Sequence, residues 1–266
     1  ERINKGNATI FFSATLLPVG YYKSLLSTET DNYAVYAKTA FREEQKLLLL
    51  GNDVSSKYTR RSAGEFERIA SYVKKTTDAK KGNYMVFFPS YKMMEQVCDV
   101  FLEKCQSDPS CETETLIQQP GMKEEERESF SEELSGERKG SLAAFCVMGG
   151  IFGEGIDLKN EQLIGAIVVG TGLPQISNER EILMGYFEKR LGAGFDYAYR
   201  YPGMNKVLQA AGRVIRTVED VGVIELLDER FLQSEYRALF PREWERQTVC
   251  RIDTVEKYLE EFWNRS

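Results

Sequence analysis

The sequence predicts an α/β fold: a mainly parallel sheet flanked by helices, with a helix-rich insertion before the last strand. Three observations carry this. Apolar runs of strand length alternate with stretches of helical periodicity, as β-α units require. Several of those runs, MVFF and LIGAIVVG among them, have no polar alternation, which fits strands covered on both faces. From Ile176 to Ile215 strand signals vanish and helical patterning takes over.

The elements follow in chain order. Ala8–Ser13 and Lys46–Leu50 are apolar runs of strand length. Glu65–Thr76 is helical, with Phe66, Ile69, Ala70 and Val73 on one face. Tyr84–Phe88 is a strand stopped by Pro89, and Tyr91–Lys104 a helix carrying Met94, Val97 and Phe101. Thr115–Gln118 is a strand. Lys123–Leu134 follows Gly121 and is Glu-rich in its first turns, which suits a helix N-terminus. The acidic run from Lys123 to Ser135 is thus a solvated helix face whose buried side is Phe130 and Leu134. Leu142–Val147, Leu163–Val169 and Gly222–Leu227 complete the strands. Helices are expected around Glu179–Arg190 and Asn205–Arg216, broken by LGAGF and YPGM, and over Thr254–Trp263.

Composition narrows the function. With 35 Lys and Arg against 41 Asp and Glu, the net charge is −6, so any nucleic-acid site is a local patch rather than a basic coat. There is no histidine, which excludes Ser-His-Asp and Cys-His nucleophiles, His metal sites and His proton shuttles. The five cysteines form no CxxC pair and are odd in number. An iron–sulfur or zinc site on Cys98, Cys105, Cys111 and Cys146 fits no compact metal loop, so the cysteines read as reduced thiols and no metal is assigned to this chain. No apolar run approaches the roughly 20 residues of a membrane span, and the chain reads as cytoplasmic with no membrane partner. Its start, without Met and with an apolar run almost at once, reads as a piece of a longer protein.

Four segments could carry chemistry, each read as a loop or helix start after a strand, where open parallel sheets bind ligands. The first, Phe11 to Pro18, places the hydroxyls of Ser13 and Thr15 at a strand end, as a relay or as simple turn caps. The second, Met85 to Glu95, puts Ser90 at a helix N-cap with Tyr91 beside it, able to hold a phosphate and stack a base, or merely to cap. The third, Cys146 to Asn160, holds Gly149, Gly150, Gly153 and Gly155 with Glu154 and Asp157; it suits close approach to a phosphate or sugar, and no Gly-Lys-Ser/Thr follows it. The fourth, Tyr201 to Phe231, spaces Gln209, Arg213 and Arg216 at i, i+4 and i+7 on one predicted helix face, kept slim by Ala210, Ala211 and Gly212. Two forked donors and an amide suit a triphosphate; salt bridging to Asp220 or Asp228 is the plainer reading.

The order Ser-Ala-Thr, VFFPSY, EGID, QAAGRVIR and LLDERF resembles the C-terminal half of superfamily 2 DNA helicases of the DinG/XPD type, and bacterial DinG-like proteins above all. The resemblance spans about Ala8 to Phe231. It implies a RecA-like fold. It divides the chain into residues 1–18, a strand and motif left from a first motor domain, and residues 19–266, the second. It implies that Ser13, Ala14 and Thr15 couple hydrolysis to DNA movement and that Ser90 and Tyr91, with Gly149 and Gly150, lie along single-stranded DNA. Gly155 and Asp157 would sense nucleotide and DNA together, as part of the ATP site. Gln209, Arg213 and Arg216 would face the phosphates of ATP, with the two arginines as fingers and with Mg and ATP held mainly by the N-terminal motor half. The chain has neither a Walker A loop nor a DEAH-type motif, so it is not expected to hydrolyse ATP alone. The expected function is the second motor domain of an ATP-dependent, 5′-to-3′ DNA helicase, and the alternative is a stand-alone single-strand-binding or protein-interaction module. An RNA helicase domain is the third reading, and repair and mobile-element defence both stay open.

Overall fold

The computed structural model describes residues 7–13, 15–27, 33–136, 138–152 and 163–265. Seven strands form one sheet in the order β3-β4-β2-β5-β6-β1-β7, and every adjacent pair is parallel. They are β1 (Lys46–Gly51), β2 (Asn83–Phe88), β3 (Thr113–Ile117), β4 (Ser141–Val147), β5 (Leu163–Val169), β6 (Gly222–Leu227) and β7 (Thr248–Cys250). The helices are α1 (Val19–Leu26), α2 (Ala63–Ala79), α3 (Tyr91–Gln106), α4 (Glu124–Ser135), α5 (Asn178–Leu191), α6 (Tyr201–Ala211), the single-turn α7 (Ser234–Arg237) and α8 (Val255–Trp263). The fold is RecA-like, as expected.

Alternation along the strands explains the unbroken apolar runs. In β1, Leu48 and Leu50 join one core while Leu49 joins the other; in β2, Met85 and Phe87 separate in the same way from Val86 and Phe88. The first core is closed by α4 through Phe130 and Leu134 and by α6 through Met204, Val207 and Leu208. The second is closed by α2, α3 and α8, with Ile69, Val97 and Leu259 fully buried. Ser62, Ser90 and Ser177 cap α2, α3 and α5 by accepting from the N–H three residues on. Gly192, left-handed at φ 64°, stops α5.

Three expectations need correction. Ala8–Ser13 is not a strand. It pairs with nothing among the described residues of the sheet, and Phe12 is 91% exposed. The helix expected over Asn205–Arg216 runs instead from Tyr201 to Ala211. YPGM opens it rather than breaking it, because Pro202 sits where no N–H is needed, after a π turn at Asp196–Arg200. Gly212 ends it, so Arg213 and Arg216 lie beyond the helix and do not share a helix face with Gln209. Finally, Gly222–Leu227 is not the last strand: the three-residue β7 follows it at the sheet edge beside β1. The helix α1 has no counterpart in the predicted elements.

The β5 loop sets the position of α6. Gly172 has φ +66°, and a methyl there would lie 2.5 Å from the carbonyl oxygen of Gly203. A methyl on Gly203 would in turn lie 2.6 Å from the Thr171 carbonyl. Backbone therefore rests on backbone where α6 begins, and only glycine fits on either side.

One polar group lies in the middle of β6. Glu225 is fully buried and accepts a hydrogen bond from the Thr76 hydroxyl at 2.9 Å. Burial pushes its carboxyl from an ordinary 4.5 up to about 8, against the smaller opposing effect of Thr76. The folded chain thus holds a proton that the unfolded chain releases. Stability from this group is complete below about pH 4.5 and is lost as pH rises toward 8. Glu225→Gln, which keeps the acceptor and cannot ionise, is expected to melt higher than the parent at pH 8 and close to it at pH 5. Parallel melting curves of the two proteins across that range are the check; equal pH dependence rejects a protonated Glu225.

Candidate functional site

Two sequence-distant motifs meet in one open cleft of about 560 Å³. Ser13 and Thr15 line it from the N-terminal segment, and Gln209, Arg213 and Arg216 from the end of α6 and the chain beyond. The Ser13 and Thr15 hydroxyls are 3.2 Å apart, and the Thr15 N–H donates to Ser13 Oγ at 3.2 Å. Ala14 between them lies outside the described residues. The cleft also takes in Lys46 and Ile224, so it sits beside the amino ends of β1 and β6. This corrects the placement of the Tyr201–Phe231 segment, whose arginines precede a strand rather than follow one.

The arginine-bearing chain is held from both sides. Asp220 accepts from the N–H groups of Arg216 and Thr217, each at 2.7 Å. Burial alone would raise the Asp220 pKa; these N–H donors outweigh it and hold the carboxylate below its ordinary value. Buried Gln45 donates to the carbonyls of Val218 and Asp220, both at 2.8 Å, tying the same turn to the start of β1. Asp220 therefore serves the backbone of Arg216, leaving its exposed guanidinium on the cleft wall. Asp228 serves neither arginine: it pairs with Arg230 at 2.8 Å and is fully buried. Arg213 is 7% exposed and Arg216 exposed, so the two differ in surroundings although both line the cleft. Lys46 and Arg42 add positive charge there; burial lowers the Lys46 pKa, Glu243 and Glu43 oppose that effect, and its ammonium donates to the Glu243 carbonyl.

A second surface forms where β2, β3 and β4 end. Gln118, just past β3 and 1% exposed, donates from Nε2 to the Tyr91 hydroxyl at 2.9 Å and accepts from the Val147 N–H at 2.9 Å. It thereby joins the start of α3 to the glycine turn after β4. The Met148 N–H donates to the Phe88 carbonyl at 2.8 Å, binding the same two ends directly. Gly149 is left-handed at φ +69°, and a methyl there would lie 2.8 Å from Cε of Lys206 on α6. Gly150 allows a similar approach, with a methyl 3.1 Å from Gln118 Nε2. Burial raises the Tyr91 pKa, with Cys146 adding to the rise and Gln118 opposing it. Ser90 is the N-cap of α3, accepting from Met93 N–H at 3.4 Å, so its hydroxyl already has a structural task. Gly155 and Asp157, with Gly153 and Glu154, lie outside the described residues.

Sequence reading missed Gln118, although a polar residue at a strand's carboxyl end, in line with the two segments already singled out, is the signal that finds it. It also missed Gln45 and Lys46, which look like the ordinary polar start of a strand. Among the described residues no group of three or more metal-capable side chains gathers. Cys98 is buried, which pushes its thiol up to about 12.

The helicase C-terminal domain model matches residues 73–247. The ATP-dependent DNA helicase XPD of Sulfolobus acidocaldarius is 28% identical over 252 residues, which is 91% of this chain and 41% of that protein. Regulator of telomere elongation helicase 1 of Homo sapiens is 31% identical over 185 residues, 64% of this chain and 15% of its own length. The chain thus spans less than half the length of these curated relatives. An apo XPD structure superposes with a TM-score of 0.60 at 24% identity, covering 78% of this chain and 40% of the other. These matches agree with the XPD side of the resemblance; the bacterial DinG side rests on the motifs alone. No described helix is long and apolar enough to cross a membrane. A parallel seven-stranded sheet with the fold of the XPD structure, and one family model matched over residues 73–247, place the chain in the helicase C-terminal domain family.

Proposed function

We propose that the chain is the second motor domain of an ATP-dependent DNA helicase. In this reading it supplies Arg213 and Arg216 to a nucleotide held mainly by a first motor domain and guides single-stranded DNA over Tyr91 and the Gly149–Gly150 turn. The observation that carries it is the shared cleft, which gathers Ser13, Thr15, Gln209, Arg213 and Arg216 from opposite ends of the chain. Its donor set of amide, hydroxyls and guanidinium groups fits a triphosphate. Magnesium-bound ATP would supply the phosphoanhydride whose hydrolysis drives movement. Arg216 would neutralise charge growing on the transferred phosphoryl group, and Gln209 would orient a phosphate oxygen or water by hydrogen bonding. Ser13 and Thr15, hydrogen-bonded to each other, would pass a change at the phosphates into the chain leading from the first motor domain. A DinG-type parent, translocation from 5′ to 3′ and a cytoplasmic setting belong to the same proposal.

The surface across the ends of β2, β3 and β4 suits a strand rather than a duplex. It offers an aromatic ring, a turn whose glycines admit a close backbone, and the ammonium-bearing side chain of Lys206 beside it.

The arginines give the sharper test. In the protein with both motor domains, Arg216→Ala is expected to remove most DNA-stimulated ATPase activity, since arginine fingers contribute roughly 10³–10⁵ in rate. Its melting temperature is expected to stay put, because the side chain is exposed. Arg213→Ala is expected to lose activity and also melt lower, because that side chain is buried. Lysine at position 216 restores only part of the rate, as a point charge lacks the forked donor. Undiminished single-turnover hydrolysis by a folded Arg216→Ala protein rejects the finger.

For the strand, Tyr91→Ala is expected to weaken oligo(dT) binding by about 1–3 kcal/mol if a base stacks there. Affinity is expected to fall as salt rises, since phosphate contacts release counterions. Anisotropy titrations at several salt concentrations measure both; tight binding that ignores salt favours the stand-alone module.

A further inference from the structure

Residues 212–221 lead from the end of α6 back to β6 and carry both arginines of the cleft. The segment is anchored unevenly. Near its start, Val214 is 2% exposed, and a methyl on Gly222 would lie 2.3 Å from Val214 Cγ1, so packing holds this part against the sheet. Farther on, residues 216–219 are all exposed, and Val218 is 61% exposed. The turn under Arg216 therefore has no apolar anchor of its own, and hydrogen bonds set where it stands.

Those bonds do two different jobs. Asp220 belongs to the segment. By accepting from the Arg216 and Thr217 N–H groups at 2.7 Å it shapes the turn, but it ties the turn to nothing outside. The Thr217 hydroxyl, which accepts from the Glu219 N–H at 3.3 Å, is local in the same sense. Gln45 comes from a distant part of the chain. Its Nε2 donates to the carbonyls of Val218 and Asp220, both at 2.8 Å, and so pins the shaped turn to the sheet.

Gln45 is itself fixed. It ends the 3-10 turn Glu43–Gln45 ahead of β1, is 3% exposed, and its Oε1 accepts from the Arg42 N–H at 2.8 Å. The strand register explains its reach: Lys46 pairs with Gly222, so the residue before β1 falls beside the residues that enter β6. Two donors and one acceptor of a single amide are all in use. Ionised glutamate would keep the acceptor and lose both donors, and leucine would lose all three. Arg42 lines the same cleft as Arg216, so one buried amide joins two parts of its wall.

We infer that Gln45 is a positioning residue for phosphoryl transfer: it holds the Arg216 turn against the start of β1 and so aims the guanidinium before a nucleotide arrives. The inference rests on the reading of Arg216 as a finger. Gln45 acts through that finger and needs no contact with ATP. A displacement of about 1 Å caused far from the chemistry can cost about 10² in rate, so a remote amide can carry much of the finger's effect. The loss falls on turnover rather than on ATP binding, which the other motor domain mainly supplies.

DNA-stimulated ATP hydrolysis by the protein with both motor domains tests this. Gln45→Leu, Gln45→Glu, Arg216→Ala and the double variant Gln45→Leu/Arg216→Ala are compared with the parent, with rates taken per folded molecule and each melting temperature recorded. Gln45→Leu is expected to lower kcat about ten- to a hundredfold and to leave KM for ATP within about twofold. The double variant is expected to be no slower than Arg216→Ala alone, because the amide has nothing left to aim. Gln45→Glu, which keeps the shape should leucine unfold the chain, is expected to fall further below the parent as pH rises, since only its protonated form can donate. Parental kcat in Gln45→Leu and Gln45→Glu beside a slow Arg216→Ala overturns the positioning role and leaves the finger standing. Undiminished turnover in Arg216→Ala overturns both. A double variant slower than Arg216→Ala by the full Gln45→Leu factor shows that Gln45 does not act through Arg216 and overturns the inference. So does a raised KM at parental kcat, a Gln45→Glu rate that keeps one ratio to the parent at every pH, or a loss of activity that vanishes once rates are counted per folded molecule.

Discussion

Parallel strands impose the constraint from which the rest of the molecule follows. Each of the seven strands runs in the same sense, so every connection must cross a face of the sheet before the next strand begins. Crossing segments bury both faces, which is why the strands can be apolar throughout and why two cores flank one sheet. The same constraint sends every strand's carboxyl end to one edge. Gln118 after β3, Gly149 after β4, Pro89 and Tyr91 after β2, Thr171 after β5, Asp228 after β6 and Ser56 after β1 are therefore neighbours without being near in sequence. The hydrogen bonds that stitch this edge are local and buried. Gln118 spans Tyr91 and Val147; Asp228 spans Ser56 and Arg230. A surface assembled in this way keeps its shape without a bound ligand.

The arginine-lined cleft obeys a different logic. It lies beside the amino ends of β1 and β6, built from chain that has not yet entered the sheet. Charge is concentrated there against the sign of the whole molecule: Arg42, Lys46, Arg213 and Arg216 stand in a chain of net charge −6, with Glu243 the only carboxylate among the described lining residues. The excess of acid lies elsewhere, much of it on the solvated side of α4, where Glu124, Glu125 and Glu126 sit at the favourable N-terminal end. A local basic patch on an acidic protein concentrates positive potential at one place.

Much of the fold was legible because burial on both faces writes long apolar runs. Six of the seven strands fall where such runs stand, and the serine caps of α2, α3 and α5 mark their starts. The failures have particular causes. Ala8–Ser13 has a strand's composition, but a strand is made by its partner, and the described sheet offers it none. The three residues of β7 are too few to carry a pattern. YPGM looked like a break because Pro and Gly usually punctuate; here Pro202 opens α6 and Gly203 lets its first turn lie on the β5 loop. In the cleft, the two arginines singled out from the sequence do line one wall together, on a different backbone from the helix expected beneath them. Sequence reading passed over Gln118, whose partners Tyr91 and Val147 lie far along the chain.

The end of α6 at Gly212 changes what the arginine segment can do. On a continuous helix, residues four and seven beyond Gln209 would present a single stripe, and its aim would be fixed by the helix axis. Leaving the helix after Ala211 separates the two side chains: Arg213 turns into the cleft's buried wall while Arg216 stays exposed on a turn. That turn is rigid for a reason visible in the structure, since Asp220 and Gln45 together bind two of its N–H groups and two of its carbonyls. A guanidinium carried on a braced turn can reach past the surface of its own domain without a large entropic penalty on engagement, because the backbone beneath it is already ordered. The buried arginine shapes the wall and the exposed one faces outward. Such a division suits a group that must meet a phosphate presented by another domain, where reach and stiffness are needed at the same residue.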